Sequence, residues 1–265
     1  MYNSLSSAHS TAEIDSCKED GKMEHANVQV IREDDHTFRI EDGHVRFFLL
    51  EGEEKALLID SGIDTPDAKE IAMSLTEKPL MLLNTHGDGD HTSGNGAFSS
   101  YYIGEDDYLA CNMAEKFPSS QPLFLEDGQL IDLGKRPLII CAIPGHTVGS
   151  VAILDENART IYTGDSVSTA FIYMFGQHRS VAQYEKSLEK LNSLRDSFDV
   201  IKPSHGTPTL GSDAIALVLT ELRYALKGWL PSELVEVHGT RVTACQGSFC
   251  GFYFENNRKT HISSD

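Results

Sequence analysis

Hydrophobic and polar positions change rhythm along this chain. Residues 1–26 are polar and show no period, which reads as an N-terminal extension peripheral to the fold. From Val28 short β-rich runs follow one another at Val28–Ile31, Thr37–Glu41, Val45–Leu50 and Lys55–Asp60, separated by Asp-Asp, Asp-Gly and Gly-Glu-Glu turns. This predicts an antiparallel meander. A helix over Pro66–Thr76, a buried strand at Leu80–Leu83 and a helix near 105–115 come next. Strands recur at Gln129–Asp132, Pro137–Ile143, Ser150–Leu154 and Thr160–Gly164. Tyr184, Leu188, Leu191 and Leu194 fall at helical spacing within 182–195. A strand at Val200–Pro203, a helix over 212–227 and one or two strands within 241–254 complete the pattern. Several strands are apolar throughout rather than alternating, so both of their faces must be covered. Two sheets packed face to face with helices outside would produce this, and a mixed doubly wound sheet is the competing architecture. No internal repeat interrupts the reading of 27–265 as a single domain.

Composition narrows the partners. The 265 residues carry 22 Lys+Arg against 40 Asp+Glu, a formal net charge of −18. That surplus repels a nucleic-acid backbone and an anionic membrane surface, leaving a small-molecule substrate as the expected partner. No apolar run approaches the ~20 residues of a membrane-crossing helix, and the N-terminal stretch has no apolar segment of the secretory kind. Five cysteines, odd in number and scattered, suggest a cytoplasmic location. Cys245 and Cys250 read as ordinary strand cysteines rather than a metal pair.

Candidate chemistry concentrates in Thr85-His86-Gly87-Asp88-Gly89-Asp90-His91-Thr92-Ser93-Gly94-Asn95. His86, Asp88, Asp90 and His91 place four metal-ligand types directly after a buried strand. Alternate spacing at 86, 88 and 90 would send three side chains to one side of an extended segment. Gly87 and Gly89 would let the turn close tightly around an ion. A solvated Asp/Gly loop with incidental histidines is the lesser reading. Three further ligand types repeat one arrangement: His146, Asp165 and His205 each stand at the end of an apolar strand beside a glycine.

In the order His-x-Asp-x-Asp-His, then His, Asp and His, the chain resembles the metallo-β-lactamase superfamily, whose first motif is usually His-x-His-x-Asp-His. The resemblance runs from about Val28 to Ala225 and includes Ile59-Asp60-Ser61-Gly62, which looks like the family's early Asp-x-Gly. It implies an α/β fold, the αββα four-layer sandwich, with two metal ions at one edge of the sheets. Carried over by position, His86, Asp88 and His146 would hold one ion and Asp90, His91 and His205 the other. Asp165 would bridge them, and Asp60 would bond the 85–91 loop without being a ligand.

Asp88 is the departure, since the family usually has histidine there. The formal charges of two divalent ions, three carboxylates and a hydroxide cancel, whereas histidine at 88 would leave one positive charge. A neutral centre is a weaker Lewis acid. It also inclines toward oxygen-loving iron or manganese, although zinc, which accepts carboxylates, stands first. On this count Asp88→His should raise zinc affinity.

The resemblance implies a metal-dependent hydrolase. A hydroxide shared by two ions would cleave an ester, thioester, lactone or related bond, with Asp90 as the catalytic carboxylate. A diiron oxidoreductase resembling the flavodiiron core, which has glutamate where Asp88 stands, is the alternative. A non-catalytic metal-dependent binding protein is the third reading. No lysine follows Asp165 to hold a β-lactam carboxylate, no basic tail suggests tRNA processing, there is no room for a nuclease insertion, and 241–259 reads as strands rather than the glutathione-binding helices of glyoxalase II. Tyr173 and His178 are candidate substrate contacts in a segment over the pocket. Trp229 and Phe175 read as core by default.

Overall fold

The computed structural model describes residues 22–25 and 28–256. Most of the expected N-terminal extension, and residues 257–259 of the expected closing strands, lie outside the described residues. The chain begins with β1 (Lys22–His25), β2 (Val28–Asp34), β3 (Thr37–Asp42), β4 (Val45–Glu51) and β5 (Ala56–Ile59), an antiparallel meander. Thus β1 pairs with this sheet from within the stretch read as an extension. After α1 (Ala68–Leu75) come β6 (Leu80–Leu83), the single turn α2 (Gly89–Thr92), β7 (Ser100–Ile103), α3 (Glu105–Ala110), α4 (Met113–Lys116) and β8 (Gln121–Phe124). Strands β5 to β8 run parallel and complete one sheet of eight in chain order.

The second half starts with β9 (Leu130–Asp132), β10 (Pro137–Ala142), β11 (Val151–Asp155) and β12 (Thr160–Gly164). Strand β13 (Phe171–Met174) leaves this sheet, α5 (Val181–Ser193) follows, and β14 (Val200–Pro203) and β15 (Leu210–Gly211) return to it. The order is β15-β14-β12-β11-β10-β9. After α6 (Ala214–Leu226), β16 (Ser232–Val237), β17 (Thr240–Gln246) and β18 (Gly251–Glu255) join β13 in a smaller sheet of order β13-β18-β17-β16.

Burial converts these sheets into layers. In β4 and β5 every residue except Glu51 is buried. Phe48, Leu50, Leu57 and Ile59 point inward and meet Leu138, Ile140, Ile153 and Tyr162 of the second sheet. Phe47, Leu49 and Leu58 point outward onto Ala68, Ile71 and Ala72 of α1. On the far side, Ala152, Leu154 and Ile161 pack against Leu188 and Leu191 of α5 and Val218 and Leu222 of α6. The result is helix, sheet, sheet, helix, so continuous apolar strands are the expected consequence of double coverage. The smaller sheet docks on the α5/α6 layer through Ile172, Phe252 and Phe254.

Local differences have local causes. The helix expected near 105–115 breaks because Asn112 adopts a left-handed φ of 52°, a conformation asparagine tolerates better than most residues. β7, β8, β13 and β16 are absent from the sequence reading because four to six residues of mixed character carry too little period. Trp229, read as core, is 65% exposed and packs beside Tyr224. Phe175 is half-buried against Tyr173.

Candidate metal centre

The topology delivers seven ligand-type side chains to one edge. β10, β12 and β14 run in the same direction, because β11 is antiparallel to both β10 and β12 while β14 is parallel to β12. Their carboxyl ends therefore lie together and present His146, Asp165 and His205. The carboxyl end of β6 faces them across the sandwich with His86 to His91. Cross-sheet hydrogen bonds lock this edge: Val151 N donates to Thr85 O at 2.8 Å, and Arg46 N on β4 donates to Ser204 O at 2.9 Å. Arg46 Nη2 also donates to Gly206 O at 2.7 Å, holding the loop that carries His205.

The 85–91 loop is not extended throughout. Asp88 is extended (φ −67°, ψ 153°), and α2 then starts at Gly89, so Asp90 and His91 project from one helical turn. The two glycines also differ. A Cβ at Gly87 would meet Cys111 Sγ at 2.7 Å, whereas one at Gly89 would meet nothing within 4 Å. Close packing at this turn requires glycine only at 87.

Around Asp165 the donor atoms form two clusters. Asp165 Oδ1 lies 3.3 Å from His91 Nε2 and 3.3 Å from His205 Nε2, while Asp90 Oδ2 is 3.5 and 3.2 Å from the same two nitrogens. Asp165 Oδ2 lies 3.6 Å from His146 Nε2, and Asp88 Oδ2 is 3.5 Å from both His86 Nε2 and His146 Nε2. Donors about 2.0–2.2 Å from a tetrahedral ion are about 3.3–3.6 Å from one another, so both clusters have the spacing of a coordination shell. Asp165 contributes a separate oxygen to each.

The outward-facing atoms of the imidazoles are all engaged. His146 Nδ1 donates to Tyr173 O at 3.1 Å and His205 Nδ1 to His44 O at 2.8 Å. His91 Nδ1 lies 2.9 Å from Asp60 Oδ2. Thr85 Oγ1 gives its single proton to Asp60 Oδ2, so at 3.0 Å it accepts from His86 Nδ1. Each ring thus turns Nε2 inward, and the buried His86 Nε2, His91 Nε2 and Asp165 Oδ1 have no hydrogen-bond partner. Unpartnered buried acceptors converging on a point fit a cation. Asp60 also accepts from Thr85 N at 2.7 Å, so it braces the loop from behind while adopting a left-handed φ of 65°.

Electrostatics agree. Burial opposes charge on Asp165, yet His205 and His91 hold its carboxyl well below the usual range. Burial lowers His205, but Asp165 and Asp90 outweigh it and raise the imidazole to about 10. His91 is raised against burial by Asp165, Asp60 and Asp90. The carboxylates attract positive charge strongly, and protons take it where a metal would.

Asp107 and Arg179 escaped the sequence reading. Asp107, fully buried on α3, accepts from Gly87 N at 2.9 Å, Thr147 Oγ1 at 2.7 Å and Gly149 N at 2.6 Å, tying the His86 and His146 loops together. Nothing distinguished it among Glu105, Asp106 and Asp107. Arg179 places Nη2 2.7 Å from Asp88 Oδ2. It stands next to His178, which is exposed in a left-handed turn (φ 65°), so the arginine, not the histidine, reaches the site.

A cavity of about 790 Å³ opens over the ligands. Asp88, Asp90, His146, Asp165 and His205 form one part of its lining, the ligand wall, and Phe171, Tyr173, Tyr253 and His238 form another, the aromatic wall. Phe171 and Tyr253 stack with ring centroids 4.4 Å apart, and Tyr173 meets Tyr253 edge-on at 5.1 Å.

Comparison with known proteins bears on this arrangement. The chain is 24% identical over 199 residues to the human (Homo sapiens) acyl-coenzyme A thioesterase MBLAC2, covering 60% of this chain and 71% of the relative. It is 30% identical over 115 residues to the human mitochondrial persulfide dioxygenase ETHE1, covering 43% of each. A solved metallo-beta-lactamase from Pontibacter korlensis superposes with a TM-score of 0.63 at 16% identity, over 74% of this chain and 99% of the other. The family model described as the metallo-beta-lactamase superfamily matches residues 40–201, and on that match, joined to the shared four-layer fold, the chain belongs to this superfamily.

Proposed function

We propose that this protein is a hydrolase of acyl esters or thioesters that binds two divalent ions at the seven-residue centre, zinc foremost. The observation that carries the reading is the pair of donor clusters sharing Asp165, with the inward nitrogens of His86 and His91 left unpartnered. Bound there, the ions would supply Lewis acidity, polarising a carbonyl oxygen and generating a nucleophile from water near neutral pH. The chain's residues do the rest. Asp90, a quarter exposed toward the cavity, accepts the proton of the attacking water and returns it to the leaving group. The imidazoles keep their positions through the carbonyls, carboxylate and hydroxyl behind them, so the centre is organised before substrate arrives.

An acyl substrate is supported by the aromatic wall. Phe171, Tyr173 and Tyr253 remain only half-buried although their strands alternate with fully buried Ile172, Phe252 and Phe254. Covering such a face with an acyl chain or ring removes apolar area from water at roughly 25 cal/mol per Å². The thioesterase relative favours a thioester. A cytoplasmic setting belongs to the same proposal and rests on the scattered cysteines alone.

Two observations favour a second reading. Asp88 makes the centre richer in carboxylate than the usual motif, which suits a diiron oxidoreductase, and a persulfide dioxygenase among the relatives favours oxidative chemistry. Elemental analysis of protein purified without added metal, followed by a panel of thioesters, esters, lactones, phosphodiesters and β-lactams, decides. Two zinc ions and turnover of acyl thioesters or esters support the hydrolase. Two irons with a visible absorbance and an inert panel overturn it in favour of redox chemistry.

A further inference from the structure

The formal charge of zero at the centre leaves out a cation that the structure brings in. Arg179, between β13 and α5, reaches over the cavity and is 14% exposed. Its Nη2 donates to Asp88 Oδ2 at 2.7 Å, its Nε to Phe175 O at 3.1 Å, and its Nη1 to His146 O. Three donors aimed at three separate acceptors fix the guanidinium in place, and a guanidinium does not lose its charge in a protein. Nη1 also lies 3.3 Å from His146 Nε2, the atom facing the first ion's position. The arginine therefore belongs to the cluster of His86, Asp88 and His146 and not to that of Asp90, His91 and His205.

We infer that Arg179 is a charge-compensating positioning residue, and that Asp88 and Arg179 together take the place of the neutral histidine usual at position 88. The inference rests on the metal reading of that cluster. A carboxylate and a guanidinium 2.7 Å apart sum to zero charge, as an uncharged imidazole does. Counting Arg179 returns the centre from neutral to one net positive charge. The acidity lost by exchanging histidine for aspartate is thereby restored, while the oxygen ligand is kept. The same cation opposes entry of the first ion, so the first site binds more weakly than the second.

The expectation for Asp88→His consequently changes sign. Alone, that substitution leaves Arg179 facing an ion and a neutral ring with no carboxylate between them.

The test measures zinc affinity by competition with a chromogenic chelator and needs no turnover. Arg179→Met should tighten the first ion at least tenfold, since removing one charge a few ångströms from a divalent ion has that effect even at the dielectric constant of water. Asp88→His should weaken it about tenfold, and the double variant should return to within about threefold of the native protein. Arg179→Lys, which keeps the charge but not the fork, should stay within about threefold of native. The second ion's affinity should hold steady throughout and serves as the check on folding. Should Arg179→Met fail that check, Arg179→Gln, which keeps hydrogen-bond donors without the charge, carries the same expectation. Weaker or unchanged first-ion binding in the neutral variants would overturn the inference and make Arg179 a tie between loops. Failure of the metal reading itself looks different: the native protein would then bind no pair of ions at all.

Discussion

The two walls of the cavity are held in place by opposite means. On the ligand wall the imidazoles are fixed by directional bonds behind them: Asp60 behind His91, Tyr173 O behind His146, His44 O behind His205. On the aromatic wall Phe171, Tyr173 and Tyr253 are held by stacking and by the anchoring of the opposite face of their sheet on α5 and α6. A coordination shell tolerates displacements of a few tenths of an ångström, whereas an apolar surface needs only area and shape. The ligand wall is therefore confined to narrow geometry, while the aromatic wall is constrained only in area and shape.

The sharpest way to break this contrast is to remove one ligand-wall group. Asp90→Ala should lower turnover by about a thousandfold, reduce bound metal from two ions to one and leave the circular dichroism spectrum unchanged. Retained turnover would remove Asp90 from the reaction. Asp107→Ala comes next, because it strands the Gly87, Gly149 and Thr147 donors in a buried place. It should cost about 3 kcal/mol in urea unfolding. A loss below 1 kcal/mol would show that the two loops do not depend on this carboxylate.

The contrast also explains what could be read from sequence. His86, Asp88, Asp90, His91, His146, Asp165 and His205 were legible because each follows an apolar strand and sits near a glycine, a local signal that survives without coordinates. Double coverage of β4 and β5 was legible for a similar reason, as unbroken apolar runs. Asp107 and Arg179 were not, since a buried acid among exposed neighbours and an arginine that reaches across a cavity are made by tertiary placement alone. The aromatic wall was hidden differently. Tyr173 was read as a candidate substrate contact, whereas Phe171 and Tyr253 have the composition of core, and only their alternation with buried neighbours on paired strands shows that one face is left open.

The anchoring of the aromatic wall can be tested through pH. Glu221 on α6 accepts from the backbone nitrogens of Ser248, Phe249 and Cys250 at 2.7, 2.8 and 2.8 Å, holding the turn between β17 and β18. Burial pushes this carboxyl up, but the donors around it prevail and hold it below the usual range. A depressed folded-state value means stability that is present above the unfolded value, about 4.3, and lost as pH falls through the folded one. Native protein should exceed Glu221→Gln by about 2 kcal/mol at pH 7, and the gap should close on acidification below about pH 4. A gap independent of pH would show that the carboxylate's charge is not what holds the turn.

The smallest effect separates the walls most cleanly. Tyr253 stacks on Phe171, meets Tyr173 and touches none of the ligand atoms described above. Tyr253→Ala should therefore leave both ions bound and kcat for an acetyl thioester within about twofold. A substrate with a long or aromatic acyl group should lose what the ring covered, about 1 kcal/mol, seen as roughly a fivefold rise in KM at similar kcat. Steady-state kinetics on a short and a long acyl thioester with one preparation gives both numbers. Equal KM changes for the two would mean that the wall senses the reacting centre rather than the acyl group, and a fall in kcat for both would mean that the two walls are mechanically one.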